Sequence, residues 1–279
     1  MKDLIKELCQ VPGVSGFEEE IRACIAERIR PHVQGMKVDA VGNLIAWKAG
    51  RRKAENKLLI TAHMDEVGFI VKRVDDKGYI RFAAIGGIDR RTVIGKKVLV
   101  GKGRIPGAIG LRAYHLVSVK EEKIVPDMAD LYIDIGASGK EEARKLVQIG
   151  DEILFDSDCV EFGNDRIKAK ALDDRIGCAA MIRLIQSELP MDCTFVFSAQ
   201  EEVGARGAFG AAFSIRPRIA LVLEGTTAAD LPWLKEHRQV TSLSAGPVLG
   251  LMDRQTIYDR ELFECLRELA EEHGIPWQT

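Results

Sequence analysis

The 279-residue sequence predicts an α/β domain interrupted by an inserted β-rich domain. Near both ends of the chain, apolar runs of strand length alternate with helix-periodic segments. Between about residue 66 and residue 161 that rhythm gives way to short strand-like segments with frequent glycines. After Lys168 the alternation of helix and strand resumes.

The first thirty residues are charged and helix-periodic. Ser15 and Glu18 have capping-box spacing, and Phe17, Ile21, Cys24, Ile25, Arg28 and Ile29 trace one mostly apolar face, which predicts an amphipathic helix starting there. Residues 43–47 and 57–61 read as strands, the second being an apolar run of the kind central sheet strands show. In the insertion, VGFIVKRV, YIRFAAIGG, KKVLVGKG, IPGAIGL and LYIDIG predict the strands of a small barrel-like domain, with a helix over 139–147. Beyond it RIGCAAMIRLIQSEL, GARGAFGAAF and YDRELFECLRELAEEHG read as helices, CTFVFSA as a buried strand and RIALVLEG as a strand. The organisation expected is a first α/β part over 1–65, an insertion over 66–161, and a second α/β part over 162–279.

Composition narrows the function. With 46% hydrophobic residues and a net charge of −2, the chain can bury a full core. Its 40 Lys and Arg are mixed with 42 Asp and Glu, so no basic face points to nucleic acid or to an anionic membrane. The N-terminus lacks the unbroken apolar core of a signal peptide, and no stretch approaches the roughly 20 apolar residues of a membrane span. Six cysteines without a CxxC pair, most of them in apolar periodic segments, fit a reducing cytoplasm.

Polar side chains capable of chemistry gather where predicted strands end, the usual place for sites in open α/β sheets. His63, after the run LLITA, can offer one ring nitrogen to a metal while Asp65 holds the other; a hydrogen-bonded core histidine is the alternative. Asp173 and Asp174 precede an apolar helix, where they can cap it, or Asp173 can bridge two divalent ions. Glu201 and Glu202 close the run TFVFSAQ. They read either as a solvated acidic turn or as a metal ligand beside a general base. Glu224 closes RIALVL. Together these residues form a nitrogen and oxygen donor set suited to Zn²⁺, Co²⁺ or Mn²⁺.

HMDEVGF, ALDDRIGC, QEEVGARGA and LVLEGTTAAD, in this order and spacing, resemble the successive motifs of the TET-type two-metal aminopeptidases, glutamyl- and leucyl-aminopeptidase-like enzymes sometimes labelled endoglucanases. The resemblance runs through the chain from GVSGFE onward. It implies a mixed central sheet flanked by helices, as in zinc peptidases, with the β insertion serving as the dimerisation domain from which hollow dodecamers are built. It also implies that His63, Asp173 and Glu224 hold one metal, that Asp173 bridges to a second held by Glu202, and that Glu201 is the general base. At the position of Glu224 the family's better-known members usually carry aspartate.

Relatives are also expected to continue beyond EEHGIPWQT with a GGTDA-like stretch and a later histidine that completes the second metal site. On that expectation the second site is incomplete here and peptide hydrolysis is impaired. The alternatives are an inactive assembly subunit or remnant, and a glycoside hydrolase working through paired carboxylates; for the latter, three Trp and four Tyr offer few stacking platforms for sugars. Leu-, Glu- and Lys-preferring enzymes are all compatible with the sequence.

Overall fold

The computed structural model describes residues 1–55 and 57–279. The backbone divides into two units, Met1–Glu224 and Gly225–Thr279.

The larger unit opens with α1 (Lys2–Gln10), which buries Ile5, Leu8 and Cys9, and α2 (Glu19–Ile29), which buries Ile21, Ile25 and Ile29 at four-residue spacing. Pro31, which has no N–H to donate, lies in the short 3₁₀ turn that follows α2. The capping box expected at Ser15 and Glu18 does not form. Ser15 Oγ donates to Asp65 Oδ2 at 2.5 Å, and Glu18 Oε1 accepts from the N–H groups of Gly16 and Gln200 at 2.7 and 3.2 Å. The physical reason is burial. Asp65 is fully buried and needs donors that water cannot supply, whereas a helix end at the surface can be hydrated.

Strands β1 (Gly35–Val38), β2 (Leu44–Lys48) and β3 (Leu58–His63) follow. The chain then leaves the sheet and builds β4 (Gly68–Val74), β5 (Ile80–Ile85), β6 (Lys97–Val100), β7 (Ile105–Gly110), β8 (Tyr132–Asp134), α3 (Lys140–Leu146) and β9 (Glu152–Phe155). These strands close a barrel in the order β4-β5-β8-β7-β6-β9, with Ile153 of β9 paired to both Phe69 and Val100. Its interior holds Phe69, Val71, Ile80, Phe82, Val98, Val100, Ile109, Ile133 and Ile153, with Phe69 edge-on to Phe82 and Phe155. Closure leaves this small sheet with no unpaired edge.

A hairpin of β10 (Val160–Phe162) and β11 (Arg166–Lys168) leads to α4 (Leu172–Gln186), β12 (Cys193–Ser198), α5 (Arg206–Ile215) and β13 (Ile219–Val222). The five-stranded sheet runs β1-β2-β12-β3-β13, with β3 parallel to both β12 and β13, and β2 antiparallel to β12. It is the mixed sheet the sequence predicts. On one face α1, α2 and α4 pack against Leu44, Ala46, Ala62, Phe195 and Phe197; on the other, Ala211 of α5 meets Ile45, Leu59 and Val196. Because β3, β12 and β13 are parallel, their carboxyl ends lie on one side of the sheet. Ser198 is opposite His63, and Val222 is opposite Thr61.

At the start of α4, Asp173 and Asp174 have non-helical backbone angles, and the peptide between them is cis. Gly177 N–H donates to Asp174 Oδ1 at 3.0 Å, and a Cβ on Gly177 would lie 2.5 Å from both Asp174 carboxylate oxygens. Glycine is therefore required for this close approach. Gly177→Ala is expected to destabilise the fold by about 1–3 kcal/mol, lowering the thermal midpoint by several degrees. An unchanged melt would contradict the contact.

The second unit contains α6 (Arg260–Glu272), N-capped by Asp259, which accepts from Leu262 N–H at 2.8 Å. Phe263 of α6 packs edge-on to Trp277, and Gln278 Nε2 donates to the carbonyls of Ser242 and Gly246 at 3.0 and 2.8 Å. Among the described residues no helix is long and apolar enough to cross a membrane.

Candidate metal centre

His63 ends β3, and its side chain is 2% exposed. Its Nδ1 lies 3.1 Å from the backbone carbonyl of Asp65 and 3.5 Å from Asp65 Oδ1. A carbonyl oxygen can only accept, so Nδ1 carries the hydrogen and Nε2 is the free donor atom. Nε2 points at Asp173 Oδ1 at 3.1 Å, Glu224 Oε1 at 3.3 Å and Glu201 Oε2 at 3.9 Å. The three side chains of His63, Asp173 and Glu224 bring one ligand atom each to within 4.8 Å of one another. They come from the end of β3, the kinked start of α4 and the stretch after β13, so sheet register and helix start together set the cluster. Asp173, Glu224 and Glu201 are 61%, 43% and 37% exposed, which leaves the centre open to a ligand on one side.

Asp65 supports the centre from beneath. Its carboxylate accepts from Ser15 Oγ and from the backbone N–H groups of Glu201 and Glu202, at 2.9 and 3.2 Å for the latter two. Although burial favours the neutral acid, these hydrogen bonds and the neighbouring imidazole outweigh it and hold the Asp65 pKa below the ordinary carboxylate value. At Asp173 the hydrogen bond to His63 has the same effect. Burial raises the pKa of Glu201 and Glu224, pushes Glu202 up to about 7 with the charges of Asp173 and Glu201 adding, and pushes Asp174 up to about 8. Burial also opposes the imidazolium of His63, but the surrounding carboxylates of Asp173, Asp65 and Glu224 prevail and raise its pKa.

These observations test whether a cation fits. A lone pair on Nε2 facing only carboxylate oxygens is repulsive unless a proton or a metal ion lies between them. One imidazole nitrogen with flanking carboxylate oxygens is a suitable donor set for a divalent cation. Glu202 is placed differently from the other predicted ligands: its backbone is tied to Asp65, and its carboxylate lies outside the group of three.

The M42 glutamyl aminopeptidase family model matches residues 42–279. The chain belongs to this family. An aminopeptidase from the archaeon Desulfurococcus kamchatkensis shares the fold with a TM-score of 0.93 and 34% identity, over 99% of this chain and 78% of that one. A Pyrococcus horikoshii TET1 peptidase, which assembles into a tetrahedron or a large octahedral shell, matches with a TM-score of 0.85 and 35% identity over 99% of this chain and 82% of its own. A lysyl aminopeptidase of Pyrococcus furiosus is 32% identical over 99% of this chain and 80% of its own length. As an M42 member the chain is a metal-dependent hydrolase of the aminopeptidase class.

Two residues that shape this M42 centre were not among the candidates the sequence offered. Asn43 Oδ1 accepts from Ala199 N–H at 2.9 Å, and its Nδ2 donates to Gly207 O at 2.9 Å, joining the turn after β12 to the start of α5. Cys178 Sγ lies 3.1 Å from the carbonyl oxygen of His63. Their signal in the sequence is faint, since an asparagine beside an apolar strand and a cysteine in an apolar helix are ordinary residues in those places.

Proposed function

We propose that this M42 aminopeptidase removes residues from peptide N-termini, with His63, Asp173 and Glu224 holding a divalent cation and Glu201 acting as general base. The observation that carries this reading is the convergence of His63 Nε2 with the carboxylates of Asp173 and Glu224 at 3.1 and 3.3 Å. When bound, Zn²⁺, Co²⁺ or Mn²⁺ supplies Lewis acidity that polarises the scissile carbonyl and acidifies a water. Glu201, beside this cluster and part-exposed, takes the proton of the attacking water on a carboxylate oxygen and returns it to the departing amine. Its raised pKa suits both halves of that transfer. Asp65 holds the His63 ring in the tautomer that frees Nε2, and fixes the backbone of Glu201 and Glu202.

Glu202, together with Asp173, would hold a second ion. The surplus of negative charge here also suits recognition of the peptide's α-ammonium group, which makes the activity that of an exopeptidase. Copies of the chain assemble through the inserted segment 66–161, a reading in line with the shells formed by the Pyrococcus horikoshii relative. All six cysteines are free, which favours a reducing cytoplasm.

The direct test is release of amino acid from unblocked and N-acetylated peptides by the purified chain. Cleavage of the unblocked peptide alone, abolished by a chelator and restored by Zn²⁺, Co²⁺ or Mn²⁺, is the expected result. Chelator-insensitive cleavage, or equal cleavage of the acetylated peptide, would overturn the proposal.

A further inference from the structure

A buried ionic cluster lies under the metal centre and takes no part in the chemistry just described. Lys170 Nζ donates to both carboxylate oxygens of Glu66 at 2.7 and 2.9 Å, and Arg175 Nη2 approaches Glu66 Oε1 at 3.6 Å. Arg175 is fully buried; its Nε donates to Met64 O at 2.8 Å, and its Nη1 donates to the carbonyls of Leu8 and Val11. The side chains of Lys170 and Glu66 are 9% and 3% exposed. The backbone of Glu66 is pinned as well: its N–H donates to Gly13 O at 2.9 Å, and its carbonyl accepts from Ser15 N–H at 3.2 Å.

Placement along the chain gives the cluster its meaning. Met64 lies between His63 and Asp65, and Glu66 follows directly after them. Lys170 and Arg175 flank Asp173, three residues before it and two after it. The Lys170–Glu66 and Arg175–Met64 links therefore join the two ligand-bearing segments across 104 and 111 residues of sequence. Two cations and one anion are buried here, and Arg175 Nη2 has no hydrogen-bond partner. Such an arrangement adds little stability, because replacing buried ion pairs with apolar side chains of similar volume is often neutral or stabilising.

We infer that Glu66, gripped by Lys170 and Arg175, is a positioning residue that sets the separation of His63 from Asp173 and thereby tunes cation affinity. The inference rests on the metal-centre reading above. It requires that loosening the grip weaken cation binding even when the charge is balanced.

Co²⁺ serves as the probe, because its affinity is measurable by calorimetry and its visible absorption reports ligand geometry. Glu66→Gln alone removes one negative charge and would weaken Co²⁺ binding by charge as well as by position. The paired variant Glu66→Gln/Lys170→Met removes one charge of each sign, so any loss that remains is positional. The expected result is about a 10- to 100-fold lower Co²⁺ affinity in the paired variant, the range typical of lost supporting contacts, with an altered absorption spectrum and circular dichroism like that of the parent. Parental affinity and spectrum in the paired variant would overturn the inference and leave only charge balance. Lys170→Arg, which keeps the charge and changes the reach, provides a second test should the paired variant fail to fold: a shifted Co²⁺ spectrum supports positioning, and an unchanged one overturns it. If the parent itself takes up no Co²⁺, the metal-centre reading fails and this inference fails with it. If the parent binds Co²⁺ and the variants bind it equally well, only the inference fails.

Discussion

Glu201→Gln is expected to lower peptide turnover by about 10²- to 10⁴-fold, the usual worth of a positioned general base, while cation content and the thermal midpoint stay near those of the parent. Glutamine has the shape of glutamate but cannot take a proton from water. The backbone N–H of residue 201 would still donate to Asp65 Oδ1, now at 2.9 Å, so the turn after β12 is preserved. Steady-state kinetics with elemental analysis separates the outcomes. Parental turnover in the variant would move the base elsewhere, whereas joint loss of turnover and cation would make Glu201 a ligand.

His63→Ala is expected to have the larger effect on binding. The ring is buried and is the only nitrogen donor in the group of three. Losing a supporting contact already costs about 10- to 100-fold in metal affinity, so removing the donor itself should cost more and leave the purified variant short of metal with turnover at background. Calorimetric titration with Zn²⁺ or Co²⁺ checks this, and a variant that binds as the parent does would dismiss His63 as a ligand. The acids add a pH dependence. Glu202, raised by burial from 4.5 to about 7, keeps its proton in the cation-free fold over a range where the unfolded chain has released it. Stability of the cation-free protein therefore falls as pH rises across that window. Added cation, which favours the ionised carboxyl, should stabilise the protein more at pH 7 than at pH 5.

The parallel strands were legible in the sequence because LLITAH, TFVFS and IALV are apolar runs that end on acids or histidine; β3 and β12 are largely buried, whereas β13 lies at the sheet edge and is mostly exposed. The barrel was legible as texture, from the density of glycines and β-branched residues between 66 and 161. β1, β9, β10 and β11, of three or four residues each, were not. β9 was the costliest omission, because EILF is the strand that closes the barrel. At the centre, the motifs exposed His63, Asp173 and Glu224, but the partners of Ser15 and Glu18 depended on contacts spanning 50 and 182 residues, which no local pattern encodes. Spacing suggested the Asp65 carboxylate as the orienter of His63. In the fold the shorter contact is to the Asp65 carbonyl, and the carboxylate braces the turn that carries Glu201 and Glu202.

The closed barrel between β3 and β12 also bears on the order in which the centre can come into being. Thr61 and Val196, which touch across the sheet, are 135 residues apart in sequence. Joining such distant points from slack chain carries a loop-closure entropy that grows as about (3/2)RT ln n, and sheets dominated by remote pairings fold slowly. A barrel whose neighbouring strands pair largely with one another, around its own buried interior, can condense first and shorten the effective tether. During synthesis, then, the barrel can be complete while His63, Asp173 and Glu224 are still apart, and on the proposed reading the capacity to bind metal arrives only when β13 has docked beside β3.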